Sequence, residues 1–486
     1  MSKESLLLGL PDDVLFHIVA HMNVEEVISF HQTCRVLHAL IGSTDYIWHN
    51  ILTIDLPLNL PHGARIHSLS GSELRQLSVQ ALRVDHGWRK NPASLKALNR
   101  IQHRGIVGEM KYLPPRWLVT MSRVSESLGC ALSIWDCDDP NKAEKVQQVS
   151  LNTPNQPMIS VALAEDGLHA LVVMYGRLPR PEILRVYFIP MQRGLPSVDN
   201  HTYLISRITT DEVPGSVFDT HICGKTISCL IARFSNNLAT YHILFLDTQT
   251  GKYRTVDFDV PQSALRVRLF PDSFLALAGF ENNKSLHLRL YNVASLLQSL
   301  RESPEIRPSP AATSLGEPYA EFSSSTDPPL LLLGRGREYE LSNNCNSNTI
   351  AAIDFCGGMI DYFLRFPVYS NEMGLTRYQD QEEVPTYPFN RPRGAFATPG
   401  VVSFGDTGRR AVWIERRLDF DDAPTWALVK GTFPSHRSGP VHVGLLLPDH
   451  MALPFKLEAC LSTALDEARG RVYLGLYTGE VYILDF

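Results

Sequence analysis

The spacing of apolar positions changes once along this chain. Up to about residue 84 they recur every three or four residues, and from about Arg104 onward they come in short runs between turns. The first spacing is that of amphipathic helices, the second that of strands. Leu10–Leu52 divides into four short helical stretches. Pro11 stands at the start of the first, with Asp12 and Asp13 at the positive end of its dipole, and the body runs to about Met22. Asn23, with Glu26 three residues on, forms a capping-box pattern for a second helix through Phe30. A third runs from about Thr33 to Ile41 and is expected to stop at Gly42. Ser43 or Thr44 then caps a fourth that carries Ile47, Trp48, Ile51 and Leu52.

Around the first helix, Val14, Leu15, Phe16, Ile18, Val19, Ala20 and Met22 cover roughly 240° of the circumference at about 100° per residue. Only Asp13, His17 and His21 fill the remaining wedge. One neighbouring helix cannot cover so wide a face, and four short helices are near the lower size limit for independent stability. The pattern therefore predicts apolar surface that another chain, or the rest of this one, must cover.

Leu56–Gly71, rich in Pro, Gly and His, reads as an exit from the helical unit, and Ser72–Val84 regains helical spacing through Leu74, Leu77, Ala81 and Leu82. Beyond Arg104 the runs are rich in Val, Ile, Leu, Tyr and Phe, among them Trp117–Met121, Ala170–Met174, Ser228–Ala232, Phe274–Ala278, Leu330–Leu333 and Ala411–Ile414. Many pair with a second run that ends on an aromatic or aliphatic residue and often Asp. Examples are Leu132-Ser133-Ile134-Trp135-Asp136, Ile243-Leu244-Phe245-Leu246-Asp247 and Val481-Tyr482-Ile483-Leu484-Asp485, with turns at Asp166-Gly167, Asp247–Gly251, Gly470 and Thr478-Gly479. Such strand density over so long a stretch predicts a closed or stacked all-β architecture. Strand ends recur at roughly 45 to 70 residues, which requires insertions. Two segments read as long loops, Ser303–Pro329, dense in Pro, Ser, Thr and Glu, and Asn371–Arg393. Arg471–Phe486 reads strand, turn, strand, a pattern compatible with the two ends of a β domain sharing one sheet.

At 486 residues the chain calls for more than one core. A formal net charge of −6 argues against a protein that coats nucleic acid. The basic stretch from Arg83 to Arg123, interleaved with Trp88, Tyr112 and Trp117, has the composition that binds nucleic acid or an acidic degron, but reads more simply as a solvated linker and first strand. Eight scattered cysteines contain no Cys-x-x-Cys pair, so a structural zinc site is not expected and the thiols are expected reduced. Met1–Gly9 lacks the features of a secretory leader, and no apolar run has the length of a bilayer span, which together give the expectation of a cytosolic or nuclear protein. Phosphate loops, His-Glu-x-x-His and Gly-x-Ser-x-Gly are absent, so no catalytic, cofactor or metal residue is nominated. Gly334-Arg335-Gly336-Arg337-Glu338 reads as a glycine-spaced turn, His17, His21, His31 and His38 as exposed helical positions, and Asp136, Asp247 and Asp485 as turn caps.

The run Leu10-Pro11-Asp12-Asp13-Val14-Leu15, then Ile18, Cys34-Arg35-Val36-Leu37 and Trp48, resembles the F-box motif, over about forty residues. His21-Met22 and Glu25-Glu26 depart mildly from the family's pattern. The paired strand ends resemble the third strand of WD-type repeats. These resemblances imply an α+β multidomain chain: an all-α F-box helical module over residues 1–55, a linker with a short helix over 56–101, and an all-β propeller of six or seven blades over 102–486. They also imply docking of a Skp-type adaptor and, through it, a cullin. Leu10, Pro11, Val14, Leu15 and Ile18 would then face the adaptor, with Cys34, Leu37 and Trp48 in the module's core and Arg35 at its edge. The expected function is that of substrate receptor in a ubiquitin ligase, the client being unreadable from sequence. A non-degradative scaffold, or a propeller enzyme with a helical lid, would fit the same outline.

Overall fold

The computed structural model describes residues 9–51, 56–61, 64, 66–103, 105–124, 129–151, 153, 155–176, 178, 180–191, 203–235, 238–258, 262–271, 273–281, 285–302, 313–323, 338–341, 349–356, 359–367, 370–371, 374–375, 386–388, 396–418, 424–432, 442–448 and 451–486.

Five helices open the chain: α1 (Asp12–Ala20), α2 (Val24–His31), α3 (Arg35–Ser43), α4 (Asp45–Ile51) and α5 (Gly71–Arg89). Pro11 is the N-cap of α1 rather than its first residue. The α2 capping box forms as its spacing requires, with the Glu26 amide donating to Asn23 Oδ1 and the Asn23 amide to Glu26 Oε2, each at 2.9 Å. Helix α3 does not stop at Gly42. That glycine lies inside it, and Thr44 in an extended conformation ends the helix. The module's core gathers Val19, Val24, Val27, Leu37, Ile41, Ile47, Trp48 and Leu74, the last contributed by α5. Trp48 closes it, its indole N–H donating to the Ile41 carbonyl at 2.9 Å.

The helix expected over 72–84 is longer than its apolar spacing shows. Ser70 caps α5 and Glu73 completes a capping box, and the helix runs 19 residues to Arg89. Its first turn sits so close to α4 that a Cβ on Gly71 would lie 2.6 Å from Asp45 Oδ1, the atom that accepts the Gly71 amide. Only glycine fits there. Its last turns carry Val84, Asp85 and Trp88 into the β domain, where Trp88 joins a core with Val472, Leu484 and Phe486. Asp85 Oδ1 accepts from Arg410 at 2.7 Å, with Arg410 only 1% exposed, and the Arg410 guanidinium also covers the Trp88 ring at 5.4 Å. Lys430 Nζ donates to the carbonyls of Trp88 and Lys90. The expected linker is therefore a helix with one end in each domain's core.

The β domain is a propeller of six four-stranded sheets and one five-stranded sheet. Blades 1 and 2 span 105–151 and 158–209. Blade 3 spans 216–258 and takes Thr313–Ser314 as a parallel fifth strand beside Tyr253–Phe258. Blade 4 runs from Gln262–Leu269 to Ala320–Ser323, blade 5 from Glu338–Leu341 to Thr386–Pro388, and blade 6 from Phe396–Phe404 to His442–Leu445. Blade 7 joins the two ends of the domain. Strand β1 (Ala97–Gln102) pairs antiparallel with Glu480–Asp485, from Ala97 opposite Asp485 to Gln102 opposite Glu480. The propeller thus begins inside the segment expected to be linker, at Ala97 rather than 102. Successive blades bury apolar layers between them, for instance Val119, Leu132 and Ile134 of blade 1 against Ile159, Val172 and Met174 of blade 2.

Both expected long loops contain strand. Ala320–Ser323 is the outer strand of blade 4 and Thr386–Pro388 that of blade 5. A further helix, Ala294–Glu302, follows blade 4's third strand and buries Leu296, Leu297 and Leu300. Leu330–Leu333 and Gly334–Arg337 lie outside the described residues.

Blade 1 encloses His103 beside Trp135, ring centroids 4.7 Å apart, with Thr120 Oγ1 3.4 Å from His103 Nε2. Burial, and then the Lys145 charge, pull this imidazole from 6.5 down to about 4. A depressed histidine contributes stability that is present above 6.5 and lost as pH falls toward 4. Asp466, raised by burial to about 6, gives the opposite slope, its contribution being lost as pH rises toward 6. The informative measurement is thus a difference between proteins. His103→Asn is expected to flatten the decline in unfolding free energy between pH 6.5 and 4, followed by urea titration. An unchanged slope would refute the role of His103.

Candidate functional site

The site to be tested is the open end of α1. Leu10 and Val14 are 36% and 39% exposed, Pro11 is exposed, and Ile18 is half-buried. Helical geometry explains the grouping, since Leu10, Val14 and Ile18 follow one another at intervals of four along one side. Leu15 is a correction to the sequence reading. At 3% exposed it turns into the module and has no surface to offer an adaptor. A 240° apolar arc could not reveal which residues face inward, and packing against α4 decides it.

Cys34 is half-buried, forms the N-cap of α3 without a side-chain cap bond, and touches the module's core. Leu37 and Trp48 are 2% and 0% exposed, and Arg35 is exposed at the start of α3. Two exposed apolar residues were not foreseen, Val36 and Tyr46. Tyr46 stands over Phe16 of α1, ring centroids 6.4 Å apart, and so extends the apolar surface across to α4. Its signal was available, because a residue two places before the buried Trp48 falls on the opposite side of a helix.

His31 is buried, contrary to its expected exposure. Its ring centroid lies 4.2 Å from that of His38, the rings tilted by 36°, and its Nε2 lies 3.4 Å from Arg75 of α5; burial, then those two neighbours, lower its pKa. Four cations of the basic stretch have structural partners: Arg89 with Asp85, Arg100 with Glu480, Lys111 with Glu109, and Arg116 with Asp136. Of its aromatic members, Trp88 and Trp117 are buried and Tyr112 is half-buried. The three turn carboxylates take structural roles, Asp136 accepting from the Asp138 amide, Asp247 from Gln249 and Thr250, and Asp485 pairing with Arg471. Among the described residues no group of three His, Cys, Asp or Glu could hold a metal ion, and Cys34, Cys130, Cys137, Cys223, Cys229 and Cys460 are free thiols. No helix among them is long and apolar enough to cross a membrane.

The arrangement is one of binding surfaces. An exposed apolar group ends α1, and α5 fixes the helical module to the propeller through buried contacts at both of its ends. Comparison with known proteins bears on the first part. The F-box-like family model matches residues 7–53, the stretch that contains α1 to α4. No curated protein sequence matches the chain. Among solved structures, the Cps50 (Swd1) beta-propeller domain of Myceliophteria thermophila superposes with a TM-score of 0.47 at 13% identity, over 81% of this chain and 99% of that one. F-box domains generally bind Skp-type adaptors. The chain carries an F-box-like module at its N-terminus, followed by a β-propeller.

Proposed function

We propose that this protein is the substrate-receptor subunit of a Skp–cullin–F-box ubiquitin ligase. The observation that supports this most directly is that the F-box-like helices present Leu10, Pro11 and Val14 to solvent instead of sealing them against the propeller. An intramolecular lid would bury that group on its own chain. The welded helix α5 supports the same reading, because a receptor that presents a client to a transfer site gains from a fixed distance between adaptor and client. In this reading the chain performs no chemistry itself and works in cytosol or nucleus.

The test is recovery of partners on affinity-tagged full-length chain from cells. A Skp-type adaptor and a cullin are expected together, with client proteins that accumulate when the gene is deleted. Adaptor without cullin, and no accumulating protein, would replace the ligase reading with a scaffold. Failure to recover any adaptor would overturn both.

A further inference from the structure

The propeller's two ends differ in chemistry, and the difference points to a class of client. The first strands of the blades run in the same direction about the axis and form its inner wall. Those of blades 7 and 1, 1 and 2, 2 and 3, and 3 and 4 abut in turn. Their starting residues therefore lie at one end. There the first strands of four consecutive blades carry exposed apolar side chains, Leu461, Ile106, Met158 and Phe218. The turns between second and third strands reach the same end, adding Tyr477 in blade 7 and Phe234 in blade 3. Phe218 and Phe234 are 42% and 68% exposed, and their rings meet at 5.9 Å with a 60° tilt. Phe218 owes its position to a bulge between Val217 and Asp219.

The opposite end belongs to the helical module. Gly470, between the first and second strands of blade 7, Arg410, at the start of blade 6's second strand, and Phe486 all hold α5. The apolar arc thus faces away from the F-box-like helices.

Charge selects what would cover it. Several carboxylates beside this rim are already held by cations: Asp219 by Arg268 at 2.9 Å, Glu415 by Arg417 at 3.1 Å, Glu480 by Arg100 at 3.1 Å, Glu458 by Lys456 at 3.5 Å and Glu109 by Lys111 at 3.7 Å, while Asp211, in the turn that enters blade 3, is exposed. Arg123, Arg233 and Arg416 form no ion pair among the described residues. Arg123 stands directly across from Ile106, and Arg233 adjoins Phe234 with its Nε–H donating to the Pro214 carbonyl at 2.7 Å. An apolar arc edged by unpaired arginines complements a segment that is itself apolar and acidic.

We propose that this rim binds an extended client segment in which two or more aromatic or large aliphatic side chains are set among an excess of Asp and Glu. The inference rests on the receptor reading for the word client, and on the rim's own geometry for the chemistry. Apolar side chains would cover the Phe218–Phe234 shelf, and carboxylates would meet Arg123 and Arg233.

The probe is a random 16-residue peptide library displayed on phage, panned on the full-length chain co-purified with its adaptor. Enriched sequences are expected to be acidic and to carry at least two aromatic or aliphatic anchors. Binding of the enriched peptide, synthesised with a fluorescent label, should weaken about tenfold or more in Phe218→Ser/Phe234→Ser. Arg123→Glu should weaken it by a smaller factor and reduce its salt dependence. Basic or wholly polar winners, no enrichment, a tighter fit for a phosphoserine peptide lacking anchors, or indifference to both variants would each overturn the proposal. Adaptor recovery from the same preparations separates the two readings. Loss of adaptor with peptide binding intact counts against the receptor alone, and the reverse counts against the rim alone.

Discussion

Asp85→Ala is expected to destabilise the folded chain by about 3–5 kcal/mol, the cost of removing one partner from a buried ion pair. Arg410 keeps its charge almost wholly inside the protein, 1% exposed, with Nη2 on Asp85 and Nη1 on the Glu467 carbonyl at 2.8 Å. Without Asp85 the guanidinium keeps one carbonyl and the Trp88 ring, and nothing neutralises it. Urea unfolding followed by tryptophan fluorescence checks this directly, since Trp88 lies beside the altered charge. Two controls give the result meaning. Arg89→Ala removes a largely exposed partner of the same carboxylate and should cost below about 1 kcal/mol. Asp85→Leu with Arg410→Met replaces the pair by apolar groups and should recover most of the loss. A loss below about 1 kcal/mol in Asp85→Ala would show that apolar contacts alone hold α5 to the propeller.

Val14→Glu is expected to reduce adaptor recovery by about 100-fold while leaving the fold intact. A carboxylate placed where an apolar contact must form has to be desolvated without a partner, and about 2.7 kcal/mol of that cost corresponds to the stated factor. Val14 is exposed in the free chain, so its replacement should change unfolding by no more than about 0.5 kcal/mol. Leu15→Ala is the converse case. Next door in sequence but buried, it should cost about 2–5 kcal/mol of stability through the cavity it leaves. Its effect on adaptor recovery should follow from unfolding alone, so the two substitutions at adjacent positions separate a contact from a support. Quantitative pull-down alongside thermal unfolding reads both. If Val14→Glu retains the adaptor at wild-type levels, the open end of α1 is not the docking surface.

What the sequence made legible was whatever is encoded locally. Asn23 and Glu26 announce a capping box because both partners lie within four residues, and strand runs such as Leu132–Asp136 carry their own β-branched and aromatic signature. The segment Ala-Leu-Asn-Arg-Ile-Gln at 97–102 carries none. It is a strand because Glu480–Asp485, nearly four hundred residues on, offers an unpaired edge. The last turn of α5 was missed for a related reason: Asp85, His86 and Gly87 look like the end of a helix until the propeller supplies Arg410 and a pocket for Trp88. Within the site, Leu10 and Val14 could be nominated but not distinguished from Leu15, since a helix apolar on most sides does not state which side meets its neighbour. The rim arc was out of reach for the same reason as the blade order. Leu461, Ile106, Met158 and Phe218 are scattered over 356 positions and become neighbours only when the ring is assembled.

The pairing of β1 with Glu480–Asp485 also orders events during synthesis. The F-box-like helices leave the ribosome early and have most of their core at hand, but Trp88 and β1 wait for the last strands of blade 7 before they find partners. A chain interrupted by a premature stop would expose an unpaired strand edge and an unburied tryptophan beside the helical module, features that chaperones and proteases recognise. Translation must therefore run through blade 7 before the propeller can close and shield both features.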